Sequence, residues 1–174
     1  RTVSRVGQIW RFTVTLPNGP RWTDYRSIIS DLEQLDRYNT STFSFSNSGH
    51  AWLVGYQGDL TNITVLTADV PASGNTINLT AGVIGLTTGD FIFKKGDFVQ
   101  LGANGRTYTV IEDVPHNQTT VQLSSPITDP VGNVTLNVAQ NCVWTVQCTQ
   151  FPSWTLFARD QVSWNGSFAL QEVL

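Results

Sequence analysis

The chain has 174 residues, 40% of them hydrophobic, and a formal net charge of -3. That is enough apolar material for a sizeable core in one domain, or one domain carrying a smaller insert. With only 13% charged residues and Lys and Arg scattered, the chain has no basic field for gripping a phosphate backbone, and no apolar run reaches the roughly 18 residues of a membrane span. The abundance of Thr, Asn, Ser, Val and Gly favours short strands over helices.

Residues 8–16 alternate, with Trp10, Phe12, Val14 and Leu16 on one face and Arg11, Thr13 and Thr15 on the other, the pattern of a half-buried strand. Pro17, Asn18, Gly19 and Pro20 form a turn. Tyr25, Ile28, Ile29, Leu32 and Leu35 then recur at helical spacing, which predicts a helix over 23–36 with Thr23 as N-cap and Asp24 near its positive end. Those five side chains are expected to pin the helix across the sheet of the first strand. Two aromatic-rich strands follow, Thr42–Phe45 and Ala51–Tyr56, around a turn at Asn47-Ser48-Gly49.

From about Thr61 to Gln140 aromatic residues thin out and short strands come at close intervals: NITVL, NTINLT, DFVQLG, RTYTVIE, TTVQLS and NVTLNV. Asn104-Gly105 falls between Asp97–Leu101 and Arg106–Glu112, so a hairpin is expected there, its tight turn using the positive φ angles that an Asn-Gly pair tolerates. Tyr108 and Val110 should face one side and Thr109 and Ile111 the other, as in a strand inside a small barrel or sandwich.

After Gln140 the aromatic texture returns with Trp144, Phe151, Trp154, Phe157, Trp164 and Phe168. The expected organisation is a discontinuous domain, 1–60 plus 141–174, with 61–140 inserted as a small β-barrel; one continuous sandwich is the alternative. Cys142 and Cys148 fall within one apparent strand, six residues or ~20 Å apart and beyond disulfide reach. They are expected to be free thiols packed as small apolar groups, which suits assembly in a reducing cytoplasm.

The sequence offers no recognisable catalytic constellation. His50 and His116 each stand beside turn residues without a second ligand at metal spacing. Glu112 and Asp113 are strand neighbours and point to opposite faces. No phosphate loop, nucleophile elbow, HExxH, EF-hand or CxxC motif occurs. Four Asn-x-Thr triplets, at Asn62, Asn78, Asn117 and Asn133, are expected by chance in so Asn- and Thr-rich a chain. No cofactor, metal or catalytic residue is expected.

Several segments, in order, carry a family likeness: Gly7-Gln8-Ile9-Trp10-Arg11-Phe12 with the proline turn, the helix and Phe43-Ser44-Phe45; Lys95-Gly96-Asp97-Phe98, Gln100-Leu101, Arg106, Tyr108, Val110 and Ser125-Pro126-Ile127; and Val162-Ser163-Trp164 through Phe168–Glu172, read as a final returning strand pair. In this pattern the chain resembles the tail-tube-like proteins at the distal end of tailed bacteriophages, the distal tail and baseplate-hub group. The resemblance implies a β-sandwich or barrel with one flanking helix and an inserted small barrel. It further implies a homo-oligomeric ring, a trimer or hexamer, in the virion tail, assembled in the host bacterial cytoplasm and joining the tail tube to other tail, hub or receptor-binding proteins, with DNA present only in passage. On that reading the expected intersubunit contacts are turn residues: Asn18 and Arg21, Lys94 and Lys95, and the hairpin tip Asn104, Gly105 and Arg106. The alternative from another class is a receptor- or carbohydrate-binding β module of a fibre or adhesin, with surplus aromatic rings stacking on sugar.

Overall fold

A computed structural model describes residues 3–4, 7–37, 42–46, 54–157 and 160–173. The protein is mostly β with one helix. In chain order the elements are β1 (Val3–Ser4), β2 (Gly7–Gln8), β3 (Arg11–Val14), α1 (Trp22–Arg37), β4 (Thr42–Phe45), β5 (Thr67–Val70), β6 (Thr76–Ala81), β7 (Phe91–Phe93), β8 (Phe98–Leu101), β9 (Thr107–Thr109), β10 (Val114–Pro115), β11 (Thr120–Gln122), β12 (Gly132–Val138), β13 (Trp144–Gln150), β14 (Ser153–Phe157), β15 (Gln161–Asn165) and β16 (Phe168–Glu172). Two compact units result: Phe45–Trp144 with Val3–Gln8 in one, Ile9–Ser44 with Thr145–Leu174 in the other.

The first unit is built on a six-stranded antiparallel sheet in the order β11-β6-β5-β12-β8-β9. β12 changes partner along its length, pairing β5 through Gly132–Thr135 and β8 through Leu136–Val138. The two outer strands then meet: Val110 bridges Leu123, Ile111 N–H donates to the Gln122 carbonyl at 3.1 Å, and Ser124 N–H donates to the Thr109 carbonyl at 2.9 Å. The sheet thereby curls into a half-barrel whose two end strands touch at this bridge. Alternation along the strands fills the interior, as with Ala68 and Val70 of β5 and Leu136 and Val138 of β12, all buried. Tyr108 and Val110 point inward and Ile111 outward, as their alternation predicts.

The hairpin β8–β9 forms in the register Val99 opposite Tyr108, but its turn differs from the expected Asn-Gly type. The connection is the five-residue segment 102–106, and positive φ is taken by Gly102 at +78° rather than by Asn104 or Gly105. Gly105 is required for a different reason: a Cβ there would lie 1.9 Å from the Leu101 carbonyl oxygen and 2.8 Å from Asp129 Oδ1. The loop is gathered inward by Asp129, whose Oδ1 accepts from Arg106 N–H at 2.8 Å and whose Oδ2 accepts from the Tyr108 hydroxyl at 2.5 Å. Gln100 completes the lock: its side chain donates to the carbonyls of Gly105 and Val143 and accepts from Val143 N–H and Asn137 Nδ2.

Other expectations need correction. Residues Ile63–Val65 form a 3-10 turn, with Asn62 Oδ1 accepting from Thr64 N–H, and the strand begins only at Thr67. The side-chain acceptor competes with the ladder and wins locally. β5 and β7 were not anticipated, and Cys142 precedes β13 rather than sharing its strand with Cys148; both cysteines are buried and outside any disulfide. Residues 38–41 and 47–53, including the expected turn at 47–49, the start of the Ala51–Tyr56 strand and His50, lie outside the described residues; Val54–Tyr56 is irregular.

In the second unit a four-stranded antiparallel sheet runs β3-β16-β13-β4, with Phe12 opposite Leu170 and Val14 opposite Phe168. The expected final strand pair does not form between β15 and β16: β15 pairs β14, and β16 pairs β3 and β13. The helix starts at Trp22, one residue before the expected cap. Trp22 N–H, an orphan donor of the first helical turn, donates to the Asp160 carbonyl at 2.8 Å, so a backbone acceptor from the β14–β15 turn anchors the helix start. The apolar face of α1 buries Ile29 against Val162 and Trp164 of that hairpin, with Trp22, Tyr25 and Leu32 packed alongside. Burial of a side chain such as Ile29 contributes about 1.5–3 kcal/mol. Ile28 is 47% exposed and takes no part.

Candidate functional site

The hairpin β14–β15 is a two-stranded ribbon in the register Trp154 opposite Trp164 and Phe157 opposite Gln161. Its β15 edge is covered. Gly19 N–H donates to the Val162 carbonyl at 3.0 Å, Val162 N–H to the Pro20 carbonyl at 2.9 Å, and Arg21 bridges Gln161. Asn18 Oδ1 also accepts from Trp164 N–H at 2.7 Å. Among the described residues no strand pairs with the outer edge of β14. Near the end of that edge Leu156 is 51% exposed and Phe157 47% exposed. Neighbours on a strand point to opposite faces, so this end of the ribbon is apolar on both sides. Open ladder groups beside exposed apolar side chains are a template for pairing with another chain.

Beneath the ribbon lies a cavity of about 290 Å³. The helix contributes Ile29, Leu32 and Glu33 to its wall, and the strands contribute Trp154, Trp164 and Phe168, with Phe151 just ahead of β14. The rings hold one another: Trp22 stacks on Trp154 at 4.9 Å, and Phe151 meets Phe168 edge-on at 5.7 Å. Trp154 Nε1 donates to Glu33 Oε1 at 3.3 Å, which sets the carboxylate beside the indole.

The sequence-predicted contact residues are dispersed. Asn18 and Arg21 are exposed and clasp β15, so they adjoin the ribbon. The other predicted residues belong to the barrel unit. Lys94 is half-buried, its Nζ 3.9 Å from the centre of the Phe91 ring, and Lys95 is exposed with its N–H donating to Asp113 Oδ1 at 2.8 Å. Asn104 is exposed and Gly105 half-buried. Arg106 is only 9% exposed and turned inward, with a guanidinium nitrogen 3.4 Å from Thr128 Oγ1. Leu156, Phe157 and Glu33 were not singled out from sequence; an aromatic run between Pro152 and Asp160 reads as core unless the strand is known to lie at an edge.

Within the barrel unit Asp97 is a buried carboxylate. It accepts from Gln57 N–H at 2.9 Å and Lys94 N–H at 2.8 Å, yet burial outweighs these bonds and holds its pKa above the ordinary value. Its fixed partners are backbone groups, which makes it a structural brace for the bend entering β8. Among the described residues no cluster of three or more His, Cys, Asp or Glu side chains can hold a metal ion. No described helix is long and apolar enough to cross a membrane. No family model matches the chain, and no curated protein matches it.

Proposed function

We propose that the chain is a structural subunit of a bacteriophage tail tip or baseplate, which self-associates into a trimeric or hexameric ring and connects the tail tube to hub or receptor-binding proteins. It works by presenting surfaces rather than by catalysis. The observation that carries the reading is the outer edge of β14, which no strand among the described residues pairs and which bears Leu156 and Phe157 about half in solvent. A closed ring needs one such surface on each subunit to meet a different surface on the next, repeated until the rotation closes. The net charge of -3 suits a ring through which DNA passes without sticking.

The test is sedimentation velocity of the full chain beside the Phe157→Asp variant. A charge at a strand position that is already about half exposed leaves the fold intact, but it costs heavily once a neighbour covers it. Wild type is expected to sediment as a discrete oligomer and the variant as a monomer with unchanged circular dichroism. An oligomer that persists in the variant removes the β14 edge from the interface, and a wild-type chain that stays monomeric at high concentration counts against the ring.

A further inference from the structure

The geometry points to the cavity under the β14–β15 ribbon as a receptor for a cationic side chain, an arginine presented by a neighbouring polypeptide. The inference starts from what its wall offers. Ring faces of Trp and Phe carry partial negative charge and attract cations within about 6 Å. Trp154, Trp164, Phe151 and Phe168 all border the space. Glu33 is the one ionisable residue lining it, and with Oε1 engaged by Trp154 Nε1 its second carboxylate oxygen remains to accept. The indole N–H of Trp164 has no partner but is sealed from the opening by protein atoms. Ser153 adds one hydroxyl that can donate or accept, so the side-chain polar groups lining the space are mostly acceptors and their charge is negative.

That inventory separates the possible occupants. A sugar stacks on indole rings but brings hydroxyls that need donors as well as acceptors, and the side-chain donors here are few. A purely apolar side chain, such as the Leu156 or Phe157 of another copy, fills the space but strips water from the Glu33 carboxylate without replacing it. An arginine answers both demands. Its methylene stem covers Ile29 and Leu32, its plane stacks on Trp154, and its N–H groups donate to Glu33. Trp154 is stiffened for this by stacking on Trp22 at 4.9 Å. A volume of about 290 Å³ admits one long side chain.

This inference does not depend on ring formation and is tested with a small probe. The full chain, labelled with nitrogen-15, is titrated with N-acetyl-arginine amide and, separately, with N-acetyl-citrulline amide, which has nearly the same shape but no charge. The indole N–H signals of Trp154 and Trp164 are followed by NMR. The arginine compound is expected to shift both signals and to bind roughly tenfold more tightly than citrulline, as a charge-assisted contact should. Glu33→Gln, on an exposed part of the helix, is expected to abolish that preference while leaving the spectrum otherwise native. Equal binding of the two compounds, no response at either indole, or a preference unchanged in Glu33→Gln overturns the assignment.

Discussion

Replacing Gln100 by Leu tests the account of the barrel most severely, because the side chain is 1% exposed and no apolar group can do its work. Its Nε2 donates to the Gly105 carbonyl at 2.8 Å and the Val143 carbonyl at 2.5 Å; its Oε1 accepts from Asn137 Nδ2 at 3.0 Å and Val143 N–H at 3.1 Å. Leucine fills nearly the same volume and strands all four groups. A buried polar group left without a partner costs roughly 1–3 kcal/mol, less where water reaches it. Gly105, Asn137 and Val143 are half-buried, so the low end applies and the sum is about 4 kcal/mol, a large share of the 5–15 kcal/mol typical of a folded domain. In urea the unfolding transition of the barrel should move to a clearly lower midpoint with its slope unchanged. The companion Gln100→Glu separates hydrogen bonding from packing. Its carboxylate still accepts from Val143 and Asn137 but opposes two carbonyl oxygens, which raises its folded pKa above the unfolded value. Its deficit should therefore shrink as pH falls through that folded pKa and a donor is restored. If Gln100→Leu lies within about 1 kcal/mol of wild type, the four-bond lock is not what holds the hairpin loop against Val143.

Two further outcomes follow from buried titrating groups. Burial pushes the Cys142 thiol up to about 12, so at pH 8 only about one molecule in ten thousand carries the reactive thiolate. Ellman's reagent should leave Cys142 unmodified in the folded chain and label it promptly in urea; prompt labelling without denaturant contradicts its burial. Asp97 has its pKa raised mainly by desolvation, with the N–H groups of Lys94 and Gln57 acting the other way. A carboxyl whose folded pKa lies above the unfolded one binds its proton more tightly when folded. Its favourable contribution is fully present below the unfolded pKa and is lost as pH rises through the folded value. Asp97→Asn should flatten the stability profile in that window, measured as urea midpoints across pH, and an unchanged profile refutes the assignment.

Much of the fold was legible because local pattern and tertiary demand agree. The alternation from Trp10 to Leu16 reappears in the burial of β3, and the helix expected at 23–36 is found at Trp22–Arg37. Where they disagree, a distant residue decides. The Asn104-Gly105 turn is set by Asp129, and Arg106 is drawn inward by contacts more than twenty residues along the chain. The helix begins one residue early, its first N–H held by the Asp160 carbonyl, and Ile28 fits the helical period but sits just outside the buried stripe. β5 and β7 were missed because Asp69 and the Gly-rich approach to Phe91 obscure short apolar runs. The site itself was the least legible part. Glu33 and Trp154 stand 121 positions apart, and Leu156 and Phe157 have the composition of core residues. Among the described residues β14 pairs with β15 alone, and that pairing leaves them at an edge.

The central claim is that the chain assembles into a ring. Light scattering on the purified full chain, with negative-stain images of the same fraction, tests it most directly. A ring gives a single mass of three or six subunits, with closed rings in the images that the Phe157→Asp variant fails to form. A clean monomer at high concentration, or open aggregates of indefinite mass with no closed ring among them, contradicts it.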